Sequence, residues 1–239
     1  MSARVRLGIA MAAAAALVGA GSIAPCLADT PSCPGTQSFV ALGGGCTGFS
    51  TPVAVLDTTC VGAPTTARAW FDLPAGEIGF VRGATSGDTL QVQACDAFEV
   101  TGLPAGTKVT CNPILDVDGW IEPVGCSGAG CTGTLRATLF DSFFSSTGYV
   151  TATDVSGRVT MHRSLQLMLT QLTVGQKHVI YYWLEFMVAP GGNHQGMATG
   201  HLHLSGLPEG VTVTSCQGYP SMSVGVKTTT WGKIKTMYR

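Results

Sequence analysis

The sequence predicts an all-β protein, an antiparallel β-sandwich of jelly-roll type that is stabilised by disulfides. From residue 67 onward, short runs of alternating apolar and polar residues are separated by Gly, Pro, Ser and Asp. This period-two pattern is typical of strands joined by turns, and helix signals are almost absent. Strands this numerous favour a sandwich over an α/β design. The cysteines lie after an export signal, and cysteines of exported proteins usually form disulfides, so disulfides are expected to stabilise the sandwich.

The export signal occupies residues 1–28. Arg4 and Arg6 give a positive start, residues 7–24 form an Ala-rich apolar stretch, and residues 26–28 offer a small-x-small cleavage site. Pro25 argues against lipid attachment at the cysteine that follows it. We therefore expect a signal peptide that is removed, and a mature protein that is secreted to the periplasm, the cell surface or the exterior.

Eight cysteines follow the signal, at positions 33, 46, 60, 95, 111, 126, 131 and 216. No C-x-x-C pair occurs among them, so structural disulfides are favoured over a metal site. The sequence between Cys126 and Cys131 is Ser-Gly-Ala-Gly, whose glycines allow a tight loop. We predict a disulfide between these two residues and leave the other pairings open.

The composition excludes several classes of function. Removal of Arg4 and Arg6 from the 13 basic residues leaves 11 against 14 acidic ones, a net charge of −3, so nucleic acid is not an expected partner. No apolar run after the signal is long enough to span a membrane. The chain has no G-x-S-x-G elbow, H-E-x-x-H helix or P-loop, and we predict no cofactor, no metal and no catalytic residue.

The chain divides into four predicted segments: a signal peptide at 1–28, a disulfide-stapled extension at 29–66, a β-sandwich at 67–226 and a basic tail at 227–239. The predicted strands are 67–73, 77–82, 89–94, 97–102, 107–118, 133–140, 148–153, 157–172, 177–189, 197–205 and 211–216. We expect the extension to lie against the sandwich, because its three cysteines and many Gly and Thr residues show little alternation.

The strand at 107–118 shows most clearly how one segment makes two faces. Its apolar face carries Val109, Cys111, Leu115 and Val117, and its polar face carries Lys108, Thr110, Asn112, Asp116 and Asp118. Pro113 lacks a backbone donor and predicts an edge strand or a bulge. Asp116 and Asp118 have the spacing of a calcium loop, but the later ligands are missing, so a solvated strand end is the favoured interpretation.

A Gly-Leu-Pro-x-Gly turn occurs twice, at 102–106 and at 206–210, each time between two predicted strands. The repeat indicates either a duplication or, as the unmatched flanks favour, two similar hairpins in one sandwich. The tail adds four positive charges at Lys227, Lys233, Lys235 and Arg239. A terminal turn docked on the sandwich and a sorting tag for an export or surface partner are its two interpretations.

Four segments together resemble a recurring pattern in uncharacterised secreted bacterial β-sandwich proteins: Phe98–Thr107, the Val174-Gly175-Gln176 turn, Gly206–Cys216 and the ending from Thr230 to Arg239. The resemblance covers about half of the mature chain. It implies a sandwich fold and export, and it implies no activity and no catalytic residues.

One predicted hairpin offers a candidate site. A turn at Val174-Gly175 would pair 157–172 with 177–189 and place Thr173 opposite Gln176. The resulting register joins Leu165 to Leu184, Leu167 to Tyr182, Leu169 to Ile180 and Met161 to Val188 on one apolar face. With strand 197–205 alongside, the candidate ligand-binding residues share the opposite face: Gln166, Tyr181, Trp183, Glu185, His201 and His203.

Three interpretations of that face remain open. The N-terminal extension could bury it, since aromatic residues on strands are usually packing groups. It could bind a glycan by stacking sugar rings on Tyr181 and Trp183. It could hold a metal ion through His201, His203 and Glu185. We predict a secreted or cell-surface, non-catalytic module with a structural or adhesive role and a polysaccharide or surface partner. The alternative is a metal- or carboxylate-dependent extracellular enzyme that uses the same face.

Overall fold

The computed structural model describes residues 38–41, 49–51, 55–62, 65–141, 145–168, 170–215 and 222–223. The predicted signal peptide and basic tail lie outside these residues. The described residues are all-β and contain no α-helix, hence no helix with the length and apolarity to cross a membrane. The strands are β1 Ser38–Ala41, β2 Phe49–Thr51, β3 Val55–Gly62, β4 Thr65–Asp72, β5 Glu77–Thr85, β6 Thr89–Thr101, β7 Lys108–Pro123, β8 Thr132–Phe140, β9 Ser145–Thr153, β10 Val159–Gln166, β11 Thr170–Thr173, β12 Lys177–Val188, β13 His194–Ser205, β14 Thr212–Ser215 and β15 Met222–Ser223.

The strands form two antiparallel sheets. In the first sheet the order is β15-β14-β6-β12-β8-β9, with β1 beside β6 and β2 beside β1. In the second sheet the order is β10-β7-β13-β5-β4-β3, with β11 also beside β7. Consecutive strands pass repeatedly from one sheet to the other, as from β5 to β6, β7 to β8 and β12 to β13. This arrangement confirms the predicted sandwich of jelly-roll type.

The core lies between the sheets and consists of the apolar residues that alternate inward along each strand. Phe80 of the second sheet packs edge-on against Phe186 of the first, with ring centroids 5.9 Å apart. The largest fully buried side chains are Tyr182, Phe71, Phe80, Phe98, Phe186, Leu73, Ile78, Leu90, Leu115, Ile121 and Leu135. Val109, Cys111, Leu115 and Val117 all belong to the core, as the alternation in 107–118 predicted.

The two Gly-Leu-Pro-x-Gly segments are turns, but they are not hairpins. The first joins β6 to β7 and the second joins β13 to β14, so each crosses from one sheet to the other. Gly102 and Gly210 have φ values of 96° and 80°, in the region that favours glycine. The turns pack together so closely that a Cβ on Gly102 would overlap the carbonyl oxygen of Gly210.

The prediction of an edge strand at Pro113 was wrong. β7 lies inside the second sheet, with β13 on one side and β10 and β11 on the other. Gln166 pairs with Ile114, and Thr170 pairs with Cys111. Between these two pairs the partner chain has three residues, 167–169, where β7 has two, 112–113. The irregularity therefore lies in the partner chain, which is interrupted opposite the missing donor.

The predicted hairpin between 157–172 and 177–189 was also wrong. The turn itself exists: the Gln176 N–H donates to the Thr173 carbonyl oxygen at 3.0 Å, and Gly175 has a φ of 78°. However, β11 pairs with β7, while β12 pairs with β6 and β8 in the other sheet. The turn carries the chain from one sheet to the other. The described residues that were expected to pair within one sheet are buried in the core: Met161, Leu165, Leu167, Ile180, Tyr182, Leu184 and Val188. Leu169 lies outside the described residues.

Parts of the predicted extension belong to the sheets. β3 pairs with β4 at the end of the second sheet, and β1 pairs with β6 in the first. The boundary predicted between residues 66 and 67 falls within β4.

The disulfide predicted between Cys126 and Cys131 is present, with a Cα–Cα distance of 5.5 Å. Cys60 and Cys95 are disulfide-bonded as well. Cys111 is a free thiol in the core, against the expectation that the cysteines after the signal form disulfides. Burial raises the pKa of this thiol from 9.0 to about 12, with a smaller contribution from the Asp141 carboxylate, so it stays protonated and unreactive.

Candidate functional site

The six candidate binding residues do not share one face. Tyr181, Trp183 and Glu185 point outward from β12 in the first sheet. The other three, Gln166, His201 and His203, lie on β10 and β13 in the second sheet and also point outward. The two groups therefore lie on opposite sides of the sandwich, because the turn at 174–175 joins different sheets.

This separation removes two of the sequence-based hypotheses in their original form. Glu185 cannot act with His201 and His203 at a metal ion across the thickness of two sheets. An enzyme that combines the same residues at one centre is excluded for the same reason. Each outer face has to be considered by itself.

The outer face of the first sheet holds an aromatic cluster, which we define as Phe140, Tyr181 and Trp183. The Phe140 ring stacks on Tyr181 with centroids 4.4 Å apart and meets Trp183 edge-on at 4.9 Å. The Trp183 indole nitrogen is buried and has no hydrogen-bond partner among the described residues. These rings therefore contact one another.

This face is closed to solvent at its centre. Gln93, Thr138 and Glu185 point outward from adjacent strands, yet their exposed fractions are only 1%, 5% and 6%. Cys95 of the same face is fully buried and disulfide-bonded. Glu185 forms an ion pair with Arg136, which takes up the carboxylate that the glycan hypothesis assigned to a ligand. The closure favours a packing role for Tyr181 and Trp183.

The outer face of the second sheet is different, and its register brings polar and aromatic residues into rows across the strands. One row runs from β10 to β4 through His162, Asp118, Thr199, Gly79 and Trp70. The next row along the strands contains Ser164, Asp116, His201 and Glu77. Gln166, Ile114 and His203 form the row after that. We call this surface the open face.

The open face is solvent-accessible and its polar groups form pairs. The His162 Nδ1 and Asp118 Oδ1 atoms are 2.5 Å apart, with 73% and 71% of the side chains exposed. The Ser164 hydroxyl donates to Asp116, whose other carboxylate oxygen lies 3.4 Å from the His203 Nδ1 atom. Asp116 and Asp118 thus belong to a polar strip on strand β7, in agreement with the interpretation favoured over a calcium loop.

Trp70 occupies the open face because Gly79 lies beside it on β5. A Cβ on residue 79 would clash with the Trp70 ring, so the absence of a side chain there makes room for the indole. The Arg68 guanidinium packs over the ring at 4.9 Å from its centroid, which is a cation–π contact. Arg68 also forms two hydrogen bonds to Asp57, of 3.0 and 2.7 Å, and these hold the Asp57 pKa below its ordinary value of 3.8.

A depression of about 240 Å³ lies against Trp70, on the side away from Arg68. Its remaining walls are formed by residues of the two polar rows and the backbone beside them: Glu77, Ile78, Asp116, Asp118, Thr199, Gly200 and His201. One aromatic wall, three carboxylates, a hydroxyl and an imidazole therefore converge on one shallow, open site. Of the six ligand-binding residues predicted from the sequence, only His201 lines the depression.

Sequence reasoning missed Trp70 as a functional residue, although it placed this tryptophan on a strand. The outward direction of Asp116 and Asp118 was predicted correctly from alternation along 107–118. The register across the three strands between β7 and Trp70, namely β13, β5 and β4, could not be predicted. That register, which brings the aspartates and Trp70 together, depends on long-range pairing.

One cluster of soft ligands occurs among the described residues, apart from the open face. The two sulfurs of Cys126 and Cys131 and a ring nitrogen of His194 all lie within 4.8 Å of one another. Because the sulfurs are joined in a disulfide, they offer no thiolate to a metal ion. His194 is fully buried, and its Nε2 atom lies 3.2 Å from the Ala152 carbonyl oxygen. Burial lowers the His194 pKa from 6.5, and the contact with Ala152 partly opposes this.

No protein-family model and no curated protein matches the sequence. Among solved structures the chain is similar to the carbohydrate-binding module TmCBM61 in complex with β-1,4-galactotriose, with a TM-score of 0.26 and 11% identity over 70% of this chain and 87% of that one. It is similar to the family 11 carbohydrate-binding module from Clostridium thermocellum in complex with a β-1,3-1,4-mixed-linked tetrasaccharide, with a TM-score of 0.23 and 10% identity over 71% and 96% of the two chains. Likenesses with TM-scores this low carry no information about function.

Proposed function

We propose that this protein is an exported, non-catalytic module that binds a neutral glycan on the open face. The observation that carries the proposal is the Trp70 indole, which Arg68 contacts on one side and which borders a solvent-open depression lined with hydrogen-bonding groups. A partly exposed aromatic ring held beside convergent polar groups is the arrangement expected of a shallow binding site.

The chemistry of the depression suits a sugar ring. The apolar C–H face of a pyranose stacks on an indole, and its hydroxyls donate hydrogen bonds to carboxylates. Glu77, Asp116 and Asp118 supply such acceptors, and the Thr199 hydroxyl and the His201 ring can both donate and accept. Binding would therefore combine a stacking contact that provides affinity with polar contacts that orient the ring.

The charges of the open face favour a ligand without negative groups. Arg68, which packs over Trp70, is already paired with Asp57. Arg158, which packs over the ring of Trp120 on the same sheet face, is paired with Glu122. The depression itself contains three carboxylates and no lysine or arginine. A sulfated or uronic-acid polymer would meet like charges there, which costs binding energy.

The test is retention of the full mature chain by neutral polysaccharides in affinity electrophoresis. The panel contains β-1,4-glucan, β-1,4-mannan, β-1,4-galactan, β-1,3-glucan and α-1,4-glucan, with alginate and heparin as acidic comparisons. We expect retention by at least one neutral polymer and none by the acidic two. Replacing Trp70 by Ala should reduce the affinity tenfold or more, which corresponds to about 1.4 kcal/mol.

Tyr149→Ala is the matched control, because Tyr149 is an exposed aromatic residue on β9 at the opposite side of the sandwich. Its removal should leave retention unchanged, and far-ultraviolet circular dichroism of both variants should match the parent. No retention by any neutral polymer, or equal loss in the Trp70 and Tyr149 variants, would refute the proposal. Release of reducing ends from a retained polymer would contradict its non-catalytic part.

A further inference from the structure

A second tryptophan on the open face repeats the arrangement found at Trp70. Trp120 lies on β7, and the Arg158 guanidinium packs over its ring at 4.1 Å from the centroid. Arg158 pairs with Glu122 at 2.9 Å, and Glu122 also accepts a 3.1 Å hydrogen bond from the Gln195 amide. These contacts hold the Glu122 pKa below its ordinary value of 4.5, with Arg158 as the largest cause. Each tryptophan is thus backed by an arginine whose charge a carboxylate neutralises.

The register shows that both rings are backed from the same side. Arg68 lies two residues before Trp70 on β4 and occupies the row of Trp120. Arg158 lies just before β10, opposite Glu122. Glu122 is one row away from Trp120, on the same side as Arg68 is from Trp70. Both indoles therefore turn their uncovered sides toward the polar rows that contain Asp118 and Asp116.

The row that joins Trp120 to Arg68, the residue packed over Trp70, is partly apolar. Met197 of β13 and Val81 of β5 lie in the row that joins Trp120 to Arg68. Val81 is 42% exposed, so it contributes apolar surface to this row. No charged side chain interrupts this row between Trp120 and Arg68.

The separation of the two rings sets the size of a ligand that could contact both. β4 and β7 are three strand positions apart in the sheet, and the two tryptophans are offset by one row. Strand spacing and rise per residue place their Cα atoms roughly 16 Å apart. A single sugar ring cannot bridge that distance, whereas a short linear oligosaccharide can.

We infer that Trp70 and Trp120 form two subsites of one extended site for a linear, uncharged polysaccharide that runs across the strands. This inference rests on the proposed function and specifies its ligand as a chain of roughly four or more sugar units, given the separation derived from the strand spacing. Trp70 with its depression is the primary subsite, and Trp120 is a secondary one that short oligosaccharides do not reach.

The test is isothermal titration of the full mature chain with disaccharides and hexasaccharides from the β-1,4-gluco, β-1,4-manno and β-1,4-galacto series. In the series that binds, the hexasaccharide should bind at least tenfold more tightly than the disaccharide. Trp120→Ala should remove most of that gain and leave the disaccharide affinity unchanged. Trp70→Ala should weaken both lengths, and Trp120→Tyr, which keeps a flat ring, should restore most of the gain.

The outcomes separate the two proposals. Equal affinity for the two lengths, or a length gain that survives in Trp120→Ala, would overturn the two-subsite inference and leave glycan binding at Trp70 standing. No binding in any series would contradict the inference and count against the proposed function as well. A urea unfolding curve of each variant shows whether a loss of binding reflects a loss of folded protein.

Discussion

The two outer faces of the sandwich carry similar residues and differ in what surrounds them. On the first sheet, Tyr181 and Trp183 pack with Phe140, and the polar residues beside them are buried. On the second sheet, Trp70 borders a depression, and the polar residues beside it, such as Asp118, are exposed. An aromatic residue on a strand is therefore no evidence of a binding face until the exposure of its polar neighbours is known.

The difference also appears in how each face uses charge. Glu185 on the closed face pairs with Arg136 and is nearly buried, so its carboxylate has a structural partner. On the open face the arginines pair with carboxylates at the margin, Asp57 and Glu122. Glu77, Asp116 and Asp118 are left around the depression without a lysine or arginine partner in it. One face buries its polar groups, and the other leaves them accessible to solvent.

The largest expected effect is on stability, and it distinguishes the two tryptophans. Trp183→Ala should lower the free energy of unfolding by about 3 kcal/mol, because it empties space within a packed aromatic cluster. Trp70→Ala should cost less than about 1 kcal/mol, since one side of its ring already faces solvent. Urea denaturation followed by circular dichroism measures both values. Similar losses in the two variants would contradict the division into a closed and an open face.

The second prediction compares carboxylates. Glu185→Ala should cost about 2 kcal/mol, because it leaves the half-buried Arg136 guanidinium without its partner in a closed environment. Asp118→Ala should change the free energy of unfolding by no more than about 0.5 kcal/mol, since its contact with His162 is exposed to solvent. The same urea experiment applies, and Arg136→Ala combined with Glu185→Ala should recover part of the loss. An unchanged free energy of unfolding in Glu185→Ala would show that the closed face is open in solution.

The sequence predicted which residues point inward much better than which strands are neighbours. Nearly every strand from residue 67 onward was located, although 89–94 and 97–102 proved to be one strand and 157–172 proved to be two. Period-two alternation reports only the side of a strand that is buried. It has the same form whether two strands pair in one sheet or face each other across a core, and the predicted 157–189 hairpin failed for that reason.

The candidate site failed at the same step. The outward direction of all six predicted residues was correct, but the assumption that one turn means one hairpin placed them on a single face. Recognition of Trp70 requires the pairing of β4 with β5 and of β5 with β13, which no local pattern encodes. A local signal was present at Gly79, because a glycine within an apolar strand often marks a site where another group approaches closely.

The third prediction uses that glycine to test the open face without removing its tryptophan. Gly79→Ala places a methyl group where the Trp70 ring lies, so the indole must move out of its position beside the depression. We expect about a tenfold loss of glycan affinity, equivalent to about 1.4 kcal/mol, with little change in the urea midpoint. Gly130→Ala is the matched control, because its methyl group would meet only ordinary van der Waals contact. Unchanged affinity in Gly79→Ala would indicate that the ring position does not determine binding.

The smallest expected effect concerns three histidines that β13 divides between the core and the open face. His194 is buried against Ala152, whereas His201 and His203 point outward along the same strand. Because burial lowers the His194 pKa below 6.5, the unfolded chain binds a proton there more readily than the folded protein does. The contribution of His194 to the free energy of unfolding is therefore fully present above pH 6.5. It is lost as the pH falls below that value toward the lowered pKa of the folded protein.

A single histidine limits the slope of this fall to about 1.4 kcal/mol per pH unit. The lowered pKa values of Asp57 and Glu122, whose ordinary values are 3.8 and 4.5, affect stability only at more acidic pH. Between pH 6.5 and 5 we therefore expect the lowered His194 pKa to contribute to a fall in stability. His194→Gln should reduce the change of the urea midpoint with pH in that window, because the amide can still donate a hydrogen bond to the Ala152 carbonyl oxygen but does not titrate. His201→Gln controls for removing an imidazole from the same strand. If the fall persisted in His194→Gln, the titrating group would have to lie outside the core, and the contrast between the buried and the outward histidines would not explain it.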